Sequence, residues 1–455
     1  MRKLLLIGSL ALASLLYAED ITKENTGEQL EKIIESDVKP NLEKPKKQNI
    51  DDLLDRAKRE LKKKNKEAYI YSATATVDAN PDDAQYYEYL SMAYRKAFLT
   101  LKADMILSKA GKIAVEEALS YHRKQMPDDM LNDEMQKKVK KELEEKSGDA
   151  DGIFAIVGNI VNSVVTNAKG DKKPETIEAE VEENIFNSAY TSGFTKEAFD
   201  EIKGMIPYET FIVTNEEGET EIGVLAYTTP KSLQLARDLA QGHKSKPIEN
   251  KAQCKSADSI VEDFDDEYLL THLGIKYFYN ENCRPALLAY GMDSFTKEEG
   301  FNSDYRREAR TRAQSNAEAT IAQFLSSNVN AFMKNTELKQ KTKNAMLKAS
   351  KTDGKVKMGA AQKKTRTSIV KEMSKEFSST AQASLRGMEV ARTWSVDKGD
   401  YEVVGAIVYY SMDSIDEANK RFDAMENIPT QQSGKSGAKA TPGVKRATNL
   451  EVDDF

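Results

Sequence analysis

Residues that could carry out catalysis or bind a metal are few in this chain. Its 455 residues include only three histidines and two cysteines. The histidines, His122, His243 and His272, are not within metal-ligand spacing of one another or of a cysteine. No HExxH, CxxC, GxSxG or P-loop spacing occurs, although a Ser-His-Asp triad built from distant positions stays open. We predict a protein that is not an enzyme and needs no metal or cofactor.

Two acidic runs are the remaining candidates for ion binding. Residues 148–152 and 262–267 are rich in Asp and Glu, and calcium is bound by carboxylate and carbonyl oxygens. The first run lacks the third acidic ligand and the closing glutamate of a helix-loop-helix calcium site. Such runs more often form solvated turns and helix caps, so we interpret both in that way and keep calcium as the alternative.

The first eighteen residues predict export. A basic start at Arg2 and Lys3 precedes an apolar run that ends at Leu16, and Ala18 supplies the small residue of a cleavage site. This pattern is typical of a signal peptide and is too short for a membrane-spanning helix. We expect Sec export, cleavage after Ala18 and a location in the periplasm or cell envelope.

The two cysteines fit that compartment. Cys254 and Cys283 are 29 residues apart, and a pair of cysteines in an oxidising compartment is most simply a disulfide. Two free, buried thiols are the alternative. The net charge of −7 gives the chain no general attraction for nucleic acid.

The chain repeats one pattern of strands and helices, which predicts its architecture. Each copy has a strand, a long helix with alanines at four-residue steps, a Gly-Met pair, two strands joined by a polar turn and a closing helix. The matched positions are Gly204 with Gly387, Gly223 with Gly405, Tyr227 with Tyr409, Ser232 with Ser414 and Ala236 with Ala418. We therefore predict an α+β fold of two tandem related domains, each a small antiparallel sheet packed with long helices.

The boundaries follow from composition and the repeat. In chain order we predict a signal peptide at 1–18, a flexible leader at 19–50, a first copy at 51–240 with a helical insertion at 110–200, a linker at 241–284 containing the cysteine pair, a second copy at 285–427 with a basic insertion at 335–372, and a disordered tail at 428–455.

An apolar stretch at 153–165 has two interpretations. Its β-branched residues lie on all faces of a helix, which suits a surface that meets a partner or a membrane. A stretch of this length is more often a buried core element. The residues of the possible interaction surface are Ile153, Phe154, Ile156, Val157, Ile160 and Val161. The lysines at 339–364 similarly fit either a solvated face or an acidic partner.

The repeated unit resembles the small α+β domain of exported flagellar envelope proteins of the FlgP and FlgT type. The resemblance covers 285–425 and, more faintly, 66–240. It rests on Ala289-Tyr290-Gly291, on Ala309, Ala313 and Ala317, and on Gly387-Met388 followed by Val404-Gly405-Ala406-Ile407-Val408. The chain departs from the lipoprotein members because it has no lipid-accepting cysteine. The resemblance implies a non-enzymatic part of a ring or disc around a motor.

These observations together predict an exported structural protein that is a subunit of a larger envelope assembly. We expect its partners to be other envelope proteins or further copies of itself, with at most peripheral membrane contact, no nucleic acid and no small-molecule substrate. The alternative is a periplasmic binding module that holds a small ligand or peptide between the two copies.

Overall fold

The structure is a computed structural model that describes residues 49–66, 68–125, 131–146, 149–167, 202–241, 246–325 and 386–426, together with residues 183, 366–371 and 373. The predicted signal peptide and tail, and most of the leader and of the basic insertion, lie outside the described residues. No helix in the described part of the chain is both long and apolar enough to cross a membrane.

The described elements alternate helices with antiparallel strands, so the predicted α+β class is confirmed. The helices are α1 (Ile50–Lys64), α2 (Tyr86–Gln125), α3 (Leu131–Glu145), α4 (Ala150–Asn167), α5 (Pro230–Gln241), α6 (Ala257–Glu262), α7 (Asp266–Thr271), α8 (Asn302–Leu325) and α9 (Met412–Glu426). The strands are β1 (Tyr69–Val77), β2 (Ile206–Thr214), β3 (Thr220–Thr228), β4 (Gly274–Tyr279), β5 (Pro285–Thr296), β6 (Glu389–Asp397) and β7 (Tyr401–Ser411).

The order of the three strands of the first sheet recurs within the second sheet, which has β4 as an additional strand. The first sheet runs β1-β3-β2, and the second runs β4-β5-β7-β6, with every pairing antiparallel. In the first copy the register shifts between Pro207 and Glu209, and in the second it shifts between Val390 and Arg392. The bulges lie at matching places, since each begins three residues after a glycine with positive φ, Gly204 or Gly387. Origin of the two units by duplication stays a prediction.

The segment predicted as a linker is instead part of the second unit. Residues 246–284 contain α6, α7 and β4, and β4 pairs with β5 from Gly274 opposite Tyr290 to Tyr279 opposite Pro285. The prediction was wrong because β4 has only six residues and follows two short helices that are rich in charge. Strand β4 and these two helices are all too short to show the periodicity by which strands and helices are recognised in a sequence.

Helix α2 organises the interior. Its residues Leu90, Ala97 and Leu101 are buried in a core that also holds Val224 of β3 and Leu288 of β5. The same helix contacts β1, β3 and β5. The sequence's four-residue alanine step therefore marks a helix packed closely between elements of both sheets, because small side chains allow short interaxial distances.

The second half of α2 belongs to a separate helical core. Helix α4 packs along α2, with Gly111 of α2 in close contact with Ile153 of α4. Ala110, Ala114 and Ala118 of α2 face the same core. The predicted insertion at 110–200 thus includes the continuation of α2, and the part of it that the structure describes is helical.

Helix α1 begins at Ile50, and its N-terminal cap is Asn49. The Asn49 side chain accepts a hydrogen bond from the backbone N–H of Asp51 at 3.2 Å. Asp51 and Asp52 lie in the first turn and three lysines lie in the last turn, which is the favourable arrangement of charge for the helix dipole. Helix α1 covers the face of the first sheet opposite α2, with Ile50 and Leu54 against Gly223.

The closing helix of each copy starts with the same pair of reciprocal hydrogen bonds. In the first copy, the backbone N–H of Thr229 donates to Ser232 Oγ at 2.9 Å and the N–H of Ser232 donates to Thr229 Oγ1 at 3.1 Å. In the second, Ser411 and Ser414 make the same bonds at 2.9 and 3.0 Å. All four residues are buried, so water cannot replace a missing partner.

Removing one cap in each copy should therefore destabilise the protein to a similar extent. We expect Ser232→Ala and Ser414→Ala each to lower the free energy of unfolding by about 1–2 kcal/mol, because each leaves a buried backbone N–H without its acceptor. Urea denaturation of the two variants checks this. An exposed serine, Ser259→Ala, is the control, and equal losses in all three variants would contradict the argument.

Candidate interaction surfaces

The six apolar residues proposed as an interaction surface are buried, which corrects that interpretation. Ile153, Phe154, Ile156, Val157, Ile160 and Val161 lie in α4 with exposed fractions between 0 and 7%. They pack against α2 and against Ile202, Ile369 and Met373. The stretch is apolar on several faces because α2 covers one side while segments distant in sequence cover others. The alternative of a core helix is the one that the structure supports.

The two cysteines are joined. Cys254 and Cys283 form a disulfide with their Cα atoms 5.0 Å apart. Hydrogen bonds flank the bridge, since the N–H of Lys255 donates to Tyr279 O and the N–H of Ile248 donates to Cys283 O, each at 2.9 Å. The disulfide thus holds residues 248–255 against the end of β4 and the turn that follows it.

The turn after β4 is fixed to α9 by a polar cluster. Asp413 accepts hydrogen bonds from Arg284 Nη1 and Asn280 Nδ2, both at 2.7 Å, and from Asn282 Nδ2 at 3.1 Å. Burial alone would raise the pKa of Asp413, but the hydrogen bonds from the two asparagines and the pairing with Arg284 lower it. The cluster connects the first turn of α9 to the β4–β5 hairpin.

This cluster should make a pH-dependent contribution to stability. Because the pKa of Asp413 is lowered in the folded state, its contribution is present above the unfolded value of about 4 and is lost as the pH falls through the folded value. We expect Asp413→Asn to lower the free energy of unfolding by about 1–3 kcal/mol at pH 7. Below about pH 4 the difference in this free energy between the variant and wild type should become smaller. Denaturant titrations across this range measure it, with exposed Glu281→Gln as the control. A difference that stays constant with pH would contradict the assignment.

Two buried carboxylates hold α8 on the second sheet. Arg306 forms a two-pronged ion pair with Glu402 at 2.7 and 2.5 Å, and Arg312 pairs with Asp293. The hydrogen bonds from Arg306 lower the pKa of Glu402, whereas burial raises the pKa of Asp293 despite the bonds from Ser294 and Arg312. Each acidic residue is buried, at most 4% exposed, and its carboxylate faces an arginine. The two ion pairs attach α8 to strands β5 and β7. The sequence analysis did not predict either of them.

The acidic run at 262–267 forms helix caps, as the sequence interpretation favoured. Asp265 caps α7 by accepting a hydrogen bond from the N–H of Tyr268 at 2.7 Å, and Asp266 and Glu267 lie in the first turn. In the first run, Asp149 accepts from the N–H of Gly152. The described residues contain no group of three or more potential metal ligands.

A stack of aromatic rings lies in the segment that was predicted as a linker. The rings of Phe264 and Tyr268 are 3.9 Å apart and those of Tyr268 and His272 are 3.3 Å apart, all nearly parallel. All three side chains are partly exposed. Lys276 Nζ lies 5.6 Å from the Phe264 ring, and the hydroxyls of Tyr268 and Tyr290 are 3.1 Å apart. A four-residue spacing of aromatic residues was the sequence signal for this stack.

The other two histidines do not join this group. His122 is buried in α2, with a ring nitrogen 3.4 Å from Ser163 Oγ. His243 lies outside the described residues. The structure therefore brings no two histidines together among the residues it describes, and no cysteine lies free there.

The edges of the sheets differ in how they could meet another strand. Strands β2 and β4 contact each other, so the two sheets meet at these strands. Strand β1 is then the outer edge of the first sheet, and β6 is the outer edge of the second. No described strand pairs with the outer side of either. Strand β6 carries a bulge and three charged residues, Glu389, Arg392 and Asp397. Strand β1 has neither a bulge nor a charged residue, glycine or proline.

Comparison with known proteins finds similarity to one family model and to one solved structure, neither of which has a stated activity. A family model described as a domain of unknown function, DUF6844, matches residues 102–241, which run from the middle of α2 to the end of α5. No curated protein matches the chain. The crystal structure of a hypothetical protein from Francisella tularensis is similar over 84% of this chain and 97% of that chain, at 19% identity and a TM-score of 0.47.

Proposed function

We propose that the mature chain is an extracytoplasmic, non-enzymatic structural protein that acts as a subunit of a larger envelope assembly. The main support for this proposal is the length of helix α2 and its place in two separate cores. The helix has 40 residues, which corresponds to a length of about 60 Å, and it contributes to the core shared by both sheets and to the helical core with α4. One continuous helix thereby fixes the first sheet, the second sheet and the helical unit with α4 relative to one another. A subunit of an assembly requires surfaces that are held in fixed positions.

The disulfide supports the compartment. Cytosolic thiols are kept reduced, and disulfides are typical of exported proteins. The described part of the chain contains no free cysteine, so each described thiol is used in the bridge. The pairing of Cys254 with Cys283 agrees with an oxidising environment.

Cross-linking in intact cells tests the proposal. A cross-linker that reaches the periplasm should convert the wild-type chain into discrete products of higher mass. A chain that lacks residues 1–18 is the matched control. Without the predicted signal peptide we expect it to stay in the cytoplasm and to give none of these products. Recovery of only single chains after cross-linking, or equal products from both chains, would count against the proposal.

The flagellar role is one instance of the proposal, and deletion tests it separately. Loss of swimming with an intact envelope, restored by the wild-type gene, would support a role at the motor. Normal swimming would remove that instance and leave the structural class in place.

The aromatic stack favours a second candidate, a binding module. Partly exposed, parallel rings beside Lys276 form a surface on which a planar, uncharged or anionic ligand would stack. Side chains of α2 fill the core between the two sheets, so a ligand would bind at this stack rather than between the copies. Quenching of tyrosine fluorescence by an added peptide, compared with a Tyr268→Leu variant, tests this candidate.

A further inference from the structure

We infer that the outer edge of β1 is the site at which two copies of this chain pair, antiparallel and related by a twofold axis near Ala73. The inference rests on the proposed function and names a partner for it, a second copy. An edge strand presents a row of backbone N–H and C=O groups that another strand can bind. Residues 70–77 make backbone pairs only with β3 among the described strands.

The composition of β1 permits such pairing. Natural edge strands are usually protected by charges, proline or bulges, and β2 and β6 have these features. Strand β1 consists of nine uncharged residues, mostly β-branched, aromatic or small. In the register centred on Ala73, Tyr69 lies opposite Val77 and Ile70 lies opposite Thr76. Aromatic and β-branched residues opposite each other stabilise antiparallel strands.

The charges at the two ends of β1 select the antiparallel direction. Lysines surround its beginning, since Lys62 Nζ donates to Ala68 O at 3.1 Å and Lys112 Nζ lies 4.9 Å from the Tyr69 ring. Lys66 is exposed just before the strand. Its end is followed by exposed Asp78, Asp82 and Asp83. An antiparallel pair places the lysines of one copy beside the aspartates of the other, whereas a parallel pair would place like charges together.

The helices that cover the first sheet leave room for this arrangement. Helix α1 contacts all three strands of the sheet, and α2 contacts both β1 and β3. Thr74 and Thr76 of β1 are exposed on the face that α1 covers only in part. A second β1 strand at the usual spacing of about 4.8 Å would extend the sheet from three to six strands.

The test is the mass of the purified mature chain, with its disulfide intact, by light scattering and sedimentation over a range of concentrations. We expect wild type to form a dimer. Thr74→Lys with Thr76→Lys should weaken the dimer at least about tenfold, because the two copies then bring like charges close together beside the twofold axis. Position 76 lies opposite Glu221 within the chain, so a lysine there gains an acidic neighbour and the variant should fold. Circular dichroism checks that it does.

Two further variants sharpen the result. Val390→Lys with Thr393→Lys places the same two charges on exposed positions of β6 and should leave the dimer intact. Lys66→Glu and Asp78→Lys should each weaken the dimer, and the two together should restore it, because the exchange recreates opposite charges across the axis.

The outcomes separate this inference from the proposed function. A wild-type chain that stays monomeric would overturn the β1 interface. So would a Thr74→Lys, Thr76→Lys variant that folds normally and dimerises as strongly as wild type. If cross-linked products in cells persist in either case, the assembly role stands and uses another surface. If the β6 variant alone disrupts the dimer, the interface belongs to β6 and the inference is wrong.

Discussion

Replacing Gly387 by alanine should lower the free energy of unfolding by about 2–5 kcal/mol. Gly387 has φ of 88°, where a side chain costs about 1–2 kcal/mol. A Cβ atom there would also lie 2.6 Å from the carbonyl oxygen of Ser414, in the buried first turn of α9. A backbone atom in a packed helix cannot move aside cheaply, and such overpacking adds about 1–3 kcal/mol.

The matching glycine of the first sheet, Gly204, supplies a second test of this kind of junction. Gly204 has φ of 73°, and a Cβ there would lie 2.2 Å from the carbonyl oxygen of Ser232. We expect Gly204→Ala to be at least as harmful as Gly387→Ala. The control is Gly399, which has φ of 87° but no atom within 4 Å of the added Cβ. Gly399→Ala should therefore cost only the backbone term of about 1–2 kcal/mol.

Thermal and urea denaturation of the three variants measure these effects. Equal losses at Gly387 and Gly399 would mean that the contact with the closing helix is unimportant. A smaller loss at Gly204 than at Gly399 would contradict the shared junction altogether.

Removing the disulfide should cost about 3–4 kcal/mol. Cys254 and Cys283 are separated by 29 residues, and closing a loop of that size restricts the unfolded chain by about this amount in the chain-entropy description. We expect Cys254→Ser with Cys283→Ser to lose this stability relative to oxidised wild type. Wild type treated with a reductant should show a similar loss.

A glycine variant separates the crosslink from the backbone of the turn. Cys283 has φ of 57°, a conformation that glycine adopts at little cost. Cys254→Ser with Cys283→Gly should therefore be about 1 kcal/mol more stable than the double serine variant. Denaturation with and without reductant gives both differences. If reduction opens the disulfide but leaves the free energy of unfolding of wild type unchanged, the stabilising role of the disulfide is contradicted.

Much of the fold could be predicted because its patterns are local. Strand β1 is a run of β-branched and aromatic residues followed by a turn at Asn80-Pro81, and α2 and α8 show alanines at helical spacing. The Gly-Met pairs mark the junctions before β2 and β6, where a left-handed glycine contacts the closing helix. These positions are predictable because backbone geometry restricts the residue type.

The parts that could not be predicted depend on contacts between distant segments. Strand β4 is short and becomes recognisable only beside β5. The apolar residues of α4 fit either a surface or a core until α2 and residues such as Ile369 are seen to cover them. Asp293 and Glu402 resemble ordinary surface acids in the sequence, and only the arginines of α8 explain their burial. The edge of β1 likewise emerges only from the strand order.

The most direct test of the assembly role is the mass of the native complex extracted gently from cells through a tag on the mature chain. The account predicts particles that contain two or more copies, alone or with other envelope proteins, with a mass well above that of one chain, which is 50.9 kDa before cleavage. Single chains at every concentration, from extracts in which the exported and oxidised protein is intact, would contradict it.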